Sequence, residues 1–151
     1  MRRFLLILSL SVLSCGICLA AVPKEFSDLL EKSCANRVTV GYSFVIEQDG
    51  VPLEGRGLLV VEGECYSISS EEMDVMCDGV TLWIADKSSR ELYIEDAPSA
   101  SEFRSNPDEY FGLFKELKVL SSEVSPASKS LAGFRYPVAE LDSSWSVNDL
   151  R

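Results

Sequence analysis

The chain of 151 residues contains no histidine. This excludes the commonest general base, the imidazole of hydrolytic triads and a frequent metal ligand. A glycine-rich phosphate-binding loop and the cysteine spacing of zinc sites are also missing. The acidic pair Glu71 and Glu72 is typical of a solvated turn, since neighbours on a strand face opposite ways. We therefore expect a protein that is not an enzyme and needs no metal and no cofactor.

Positive charge is scarce. The chain has 14 Lys and Arg against 24 Asp and Glu, for a formal net charge of −10. Nucleic acids and anionic membrane surfaces are bound through basic patches, so we expect neither as a partner. The acidic balance fits an exported protein that has to stay soluble.

The N-terminus has the pattern of a secretory signal peptide in residues 1–20. Arg2 and Arg3 precede an apolar run, residues 4–13, which is shorter than the roughly 20 residues of a membrane span. Small residues precede a cleavage site after Ala20, which leaves residues 21–151 as one mature domain. Two alternatives are an uncleaved start-transfer anchor and a lipoprotein signal, in which residues 12–14 precede Cys15 and that cysteine carries a lipid anchor.

Strand-like alternation dominates the middle of the chain. The spacing predicts a helix over residues 23–37, followed by six strands joined by short turns, and therefore an antiparallel meander. Asn106 and Pro107 indicate the start of a second helix that ends near Lys118. The predicted strands span residues 38–48, 57–62, 65–69, 73–77, 81–85 and 91–95; residues 121–130 are predicted as a loop, with weaker strands at 134–141 and 145–150.

The predicted sheet has one strongly apolar face, which two helices cover only in part. This face is predicted to carry Val40, Tyr42, Phe44, Ile46, Leu58, Val60, Tyr66 and Ile68, and Met73, Met76 and Trp83 add large, adaptable side chains. A filled core between sheet and helices and a lipid-sized cavity both fit the pattern.

Three cysteines remain after cleavage, and an exported protein permits disulfides. A turn centred on Glu71 places Cys65 opposite Cys77, where a bridge is feasible. Two unbridged buried thiols are the alternative. The odd count leaves one cysteine, Cys34 if the bridge forms, unpaired or intermolecular.

Several segments together resemble one family. The most specific is the turn Asp78-Gly79-Val80-Thr81-Leu82-Trp83. In order along the chain, the matching segments are residues 26–35, 41–44, 57–60, 73–77, 78–83, 91–94, 106–107 and 149–151. With this order the chain resembles the LolA-type periplasmic carriers of outer-membrane lipoproteins, particularly their compact members, over nearly the whole mature chain.

The resemblance implies an α+β fold, in which a curved antiparallel sheet forms an unclosed half-barrel that helices cover around a hydrophobic cavity. It implies a monomeric periplasmic carrier that shields acyl chains of lipoproteins or related lipids. Its partners would be an inner-membrane lipoprotein-releasing transporter and an outer-membrane acceptor. The alternatives are an outer-membrane-anchored acceptor similar to LolB, and an interaction module of the same fold that carries no lipid.

The candidate cavity residues are Phe44, Ile46, Leu58, Val60, Tyr66, Ile68, Met76 and Trp83 from the sheet, with Phe111 and Phe114 from the covering helix. Two features depart from the family. Glu62 stands where better-known members carry an arginine that controls closure of the lid. The segment after Leu117 is also short.

Overall fold

Strands make up most of the fold. The computed structural model describes residues 22–98 and 114–151. Within them, one α-helix, α1 (Lys24–Lys32), precedes eight strands, and two 3-10 turns, Ala132–Phe134 and Val138–Glu140, lie between the last two. The strands are β1 (Asn36–Gln48), β2 (Val51–Glu62), β3 (Cys65–Ser70), β4 (Met73–Cys77), β5 (Thr81–Asp86), β6 (Glu91–Asp96), β7 (Glu116–Pro126) and β8 (Ser146–Asp149).

All eight strands belong to one mixed sheet with the order β7-β1-β2-β3-β4-β5-β6-β8. The predicted meander is confirmed from β1 to β6, where neighbours along the chain pair antiparallel. β7 adds antiparallel to the free side of β1, and β8 adds parallel to β6. Among the described residues, no helix is long and apolar enough to span a membrane.

The predicted half-barrel covered by helices is wrong. α1 is the single α-helix in the described part of the chain, and the fold is dominated by its sheet. The second predicted helix, residues 106–118, falls partly outside the described residues. Its last part belongs to β7, where Leu117 pairs with Phe44 and Val119 with Tyr42. The apolar residues of this segment are spaced as in a helix, but the segment forms a strand because it pairs with the free edge of β1.

Other predicted boundaries are also corrected. α1 ends at Lys32, well before residue 37, because β1 already begins at Asn36. β2 begins at Val51, earlier than predicted, because the Asp49-Gly50 turn pairs Gln48 directly with Val51. The predicted loop 121–130 lies largely in β7. The predicted strand 134–141 holds 3-10 turns around Pro137, whereas the predicted strand 145–150 is confirmed as β8.

Two apolar clusters lie on opposite faces of the sheet. Under α1, Phe26 and Leu30 pack on residues of β1 to β5, including Val40, Leu59 and Leu82. On β5 the neighbouring side chain, Trp83, packs instead against the second cluster. That cluster consists of Ala85, Leu92 and Ile94, covered by Tyr136, Val138, Leu141 and Trp145. Each face of the sheet therefore has its own cover, α1 on one side and the segment before β8 on the other.

The register of β2 differs by one residue from the predicted one. Leu59 pairs with Val40 and is fully buried, whereas Leu58 pairs with Gly41 and is 46% exposed. The two-residue turn after β1 causes this, because it places even-numbered residues of β1 opposite odd-numbered residues of β2. Leu58 and Val60 therefore leave the face that they were predicted to share with Val40, and Leu59 and Val61 take their places.

Candidate functional site

A row of aromatic rings runs along the face of β1 that carries α1. Phe26 of α1 meets Tyr42 edge to face, with 6.2 Å between ring centroids. Tyr42 is 6.1 Å from Phe44, and Phe44 stacks on Phe114 at 4.6 Å. Burial raises the pKa of Tyr42 to about 12, so its phenol stays neutral near pH 7. The row therefore forms an uncharged, largely apolar wall along β1.

Two glycines of β2 make room for these rings. Gly57 pairs with Tyr42 and Gly55 with Phe44. A Cβ atom added at Gly57 would lie 2.4 Å from the Tyr42 ring, and one at Gly55 would lie 2.3 Å from the Phe44 ring. Each ring therefore lies across the bare backbone of the next strand, a cross-strand arrangement known from glycines in sheets.

Beyond this row, a groove of about 690 Å³ opens at the end of the β1–β2 hairpin. Its large apolar lining residues are Phe44, Ile46 and Leu53, which share one face of the hairpin, and Val45, which lies on the other face; Leu53 is 42% exposed. Its charged lining residues are Glu54, Arg56, Glu71, Glu72, Glu116 and Lys118, with a formal net charge of −2. No residue of α1 lines the groove. Its volume falls in the range of about 300–1,000 Å³ that is usual for small-molecule sites.

The structure divides the ten predicted cavity residues among several places. Phe44 and Ile46 line the groove, and Phe114 stacks on Phe44 without being part of a helix. Tyr66 and Ile68 pack in the cluster under α1. The remaining members are placed elsewhere: Val60, Met76 and Trp83 align across β2 to β5 on the opposite face, Leu58 is exposed on that face, and Phe111 lies outside the described residues.

Leu53 lines the groove on the same face as Phe44 and Ile46, but it was not among the predicted cavity residues. It pairs with Ile46 across the hairpin. The Asp49-Gly50 turn carries the signal that could have found it, because a two-residue turn pairs residues whose numbers sum to 99. Extending β2 back to Val51 would then have placed Leu53 beside Ile46.

The predicted pairing of Cys65 with Cys77 is wrong by one residue. Cys77 pairs with Tyr66, because Glu71 and Glu72 together form the turn between β3 and β4. Both thiols are free in the structure, as is that of the exposed Cys34. Burial raises the pKa of Cys65 and of Cys77, so neither thiol is activated as a nucleophile.

Glu62 belongs to a structural cluster and not to the groove. Its carboxylate lies 3.4 Å from Nε of Arg37, and it accepts a hydrogen bond from the backbone N–H of Lys129 at 3.0 Å. The Arg37 guanidinium in turn sits 5.1 Å from the centre of the Phe134 ring. Glu62 therefore ties the end of β2 to the segment after β7. Glu62 and Phe134 of this cluster also line a second, smaller groove of about 230 Å³, together with Cys34 and Cys65.

The Asp78-Gly79 turn, the most specific single segment of the family resemblance, is stabilised by the Asp78 carboxylate. One oxygen accepts hydrogen bonds from the backbone N–H groups of Val80, at 3.0 Å, and Thr81, at 2.8 Å. The other lies 3.0 Å from Nε of Arg135, in the segment that covers the second cluster. Partial burial acts to raise the pKa of Asp78, but these hydrogen bonds outweigh it and hold that pKa below its usual range.

Replacing Asp78 with alanine should lower the free energy of unfolding by about 1–3 kcal/mol, because two turn N–H groups and Arg135 lose their acceptor. Since the folded pKa is depressed, this contribution is complete above the ordinary carboxyl pKa of 3.8 and fades as pH falls through the lower folded value. Urea unfolding of both proteins at pH 7 and at pH 2.5 measures it. An equal gap at both pH values would contradict this role of Asp78.

Neither a metal site nor a comparison with known proteins assigns a function to this chain. Within residues 22–98 and 114–151, no group of three or more His, Cys, Asp or Glu is placed to hold a metal ion. No protein-family model matches the chain, and no curated protein is detectably similar to it. The resemblance to lipoprotein carriers therefore rests on the chain's own residues.

Proposed function

We propose that this is an exported binding protein, not an enzyme, that shields an acyl chain of a lipoprotein or related lipid in the groove at the end of the β1–β2 hairpin. One observation carries the proposal: Phe44, Ile46 and Leu53 give a groove of about 690 Å³ an apolar wall that α1 leaves uncovered. Each methylene removed from water there contributes about 0.8 kcal/mol, so several of them suffice for a useful affinity.

The charged lining residues suggest which lipids fit, although Glu54, Arg56, Glu116 and Lys118 lie on the opposite face of the hairpin from Phe44, Ile46 and Leu53. Four glutamates, Glu54, Glu71, Glu72 and Glu116, outnumber Arg56 and Lys118. A free carboxylate bound near these residues would be repelled by their net negative charge, whereas the neutral ester or amide of a linked acyl chain would not be repelled. We therefore expect neutral-headed acyl ligands to bind more tightly than free fatty acids.

The route of the cargo is part of the same proposal. The signal-peptide pattern of residues 1–20 supports export, and the family resemblance supports a periplasmic carrier. On that basis the cargo would come from an inner-membrane lipoprotein-releasing transporter and pass to an outer-membrane acceptor. Lipidation of Cys15 would instead favour the anchored acceptor.

A second candidate, an interaction module that carries no lipid, is favoured by a different observation. The space between α1 and the sheet, where a cavity was expected, is occupied by Phe26, Leu30 and Leu59, each at most 1% exposed. A carrier of this architecture has to use the groove at the hairpin end instead. Failure of the folded protein to bind acyl chains would favour the interaction module.

A fluorescent acyl probe with a neutral headgroup tests the proposal. Leu53→Asp should weaken its binding at least tenfold, because a carboxylate then faces the apolar wall. The fold should be kept, since Leu53 is 42% exposed. Val80→Asp is the matched control, since it makes the same kind of change at a residue that is 74% exposed in the β4–β5 turn, and it should bind like wild type.

Two results would contradict the proposal. One is the absence of saturable binding by the folded wild-type protein. The other is equal binding by the Leu53 and Val80 variants, which would place the acyl chain outside the groove.

A further inference from the structure

β7 lies at one edge of the sheet and is much longer than β8, the four-residue strand at the other edge. It runs over 11 residues, Glu116–Pro126, and among the described residues it pairs only with β1. Leu120 is 54% and Val124 44% exposed. An edge strand presents a row of backbone N–H and C=O groups that can pair with a further strand.

A β-bulge divides β7 in two. Gly41 of β1 pairs with Ser121, but the next residue, Tyr42, pairs with Val119, so Leu120 has no partner on β1. The bulge shifts the alternation of β7 by one residue. The β7 residues on the face that carries Tyr42 are therefore odd-numbered before the bulge and even-numbered after it. Leu117 and Val119 share it with Ser122 and Val124. The other face carries Glu116, Lys118, Glu123 and Ser125.

The bulge makes β7 complementary to itself. If two copies pair antiparallel about a two-fold axis between Leu120 and Ser121, Lys118 of each copy lies opposite Glu123 of the other. Leu117 then lies opposite Val124, and every such pair matches in face. Sliding one strand by a single residue places side chains of opposite faces against each other. One register therefore pairs opposite charges and also places side chains of the same face opposite each other.

We propose that β7 pairs antiparallel with β7 of a second copy, so that two eight-stranded sheets join edge to edge. The interface is isologous and carries two Lys118–Glu123 pairs. This goes beyond the proposed function and replaces the monomer expected from the sequence. Charges on an edge strand usually discourage pairing with other strands. Here Lys118 and Glu123 disfavour pairing with most strands but favour a second β7, in which each charge meets the opposite sign. Pairing edge to edge buries little surface compared with a standard interface. The dimer is therefore weak, and its fraction rises with protein concentration over an accessible range.

Sedimentation equilibrium of the mature protein, residues 21–151, tests the proposal by charge reversal. Lys118→Glu and Glu123→Lys should each weaken dimerisation at least tenfold, because like charges then face each other twice per dimer. The double variant should dimerise within about threefold of wild type. Lys24→Glu on α1 makes the same charge change away from β7 and should leave the dimer unchanged. A monomeric wild type, or a double variant that stays monomeric, overturns the proposal.

Zero-length carbodiimide cross-linking of wild type provides a test that needs no variant. In a mixture of ¹⁴N- and ¹⁵N-labelled protein, mass spectrometry should find Lys118 joined to Glu123 in mixed-isotope peptides. Within one strand the two residues lie about 15 Å apart, too far for such a link. A dimer without this cross-link would pair through another surface and would overturn the register proposed here.

Discussion

Replacing Leu59 with aspartate should leave the protein unfolded at 25 °C, whereas replacing Leu58 with aspartate should leave it folded. Leu59 is fully buried between β1 and β3 in the cluster under α1, and Leu58 is 46% exposed. An unpaired carboxylate at position 59 costs about 4–5 kcal/mol or more, which approaches the whole stability of a domain of this size.

Far-UV circular dichroism and urea unfolding of the two variants measure this difference. The neighbouring positions carry the same residue type, so each variant is the control for the other. The free energy of unfolding of the Leu58 variant should fall by less than about 1 kcal/mol. A folded Leu59 variant beside an unfolded Leu58 variant would show that β2 has the opposite register.

Replacing Phe26 with alanine should lower the free energy of unfolding by about 3–5 kcal/mol. Phe26 is fully buried and joins α1 to the sheet through its edge-to-face contact with Tyr42. Because α1 has only nine residues, it depends on this packing for its stability. Thermal and urea unfolding measure the loss.

The exposed outer face of α1 offers the control for this variant. Asp28→Ala changes a residue of the same helix that does not contribute to the core, so it should stay within about 0.5 kcal/mol of wild type. An equal effect of the two substitutions would mean that α1 does not pack through Phe26.

Local turns explain how much of the fold is predictable from the sequence. Asp49-Gly50 and Asp78-Gly79 each join neighbouring strands, so the meander from β1 to β6 follows from short-range signals. β7 pairs with β1, which lies far away in the chain. No turn or other short-range sequence pattern predicts this pairing. Phe114, which precedes β7, has helical spacing with Leu117 and Leu120, while Leu117 and Val119 also fit a strand, and tertiary pairing decides between the two structures.

The candidate site was less predictable because it depends on register. One residue separates a turn centred on Glu71 from the observed two-residue turn, and that step removes the direct pairing of Cys65 with Cys77. A similar step in β2 moves Leu58 and Val60 off the buried face. Phe44 and Ile46 lie on the same face of β1 as Val40 and Tyr42, as predicted, and both line the groove.

Native mass spectrometry of the mature protein, isolated by gentle extraction from the cell envelope of its own host, tests the acyl-binding proposal most directly. We expect a population heavier than the polypeptide by the mass of one acyl-bearing ligand. That population should persist in Val80→Asp and vanish in Leu53→Asp. Bare polypeptide alone in folded wild type, or ligand retained equally by both variants, would contradict the proposal that the groove shields an acyl chain.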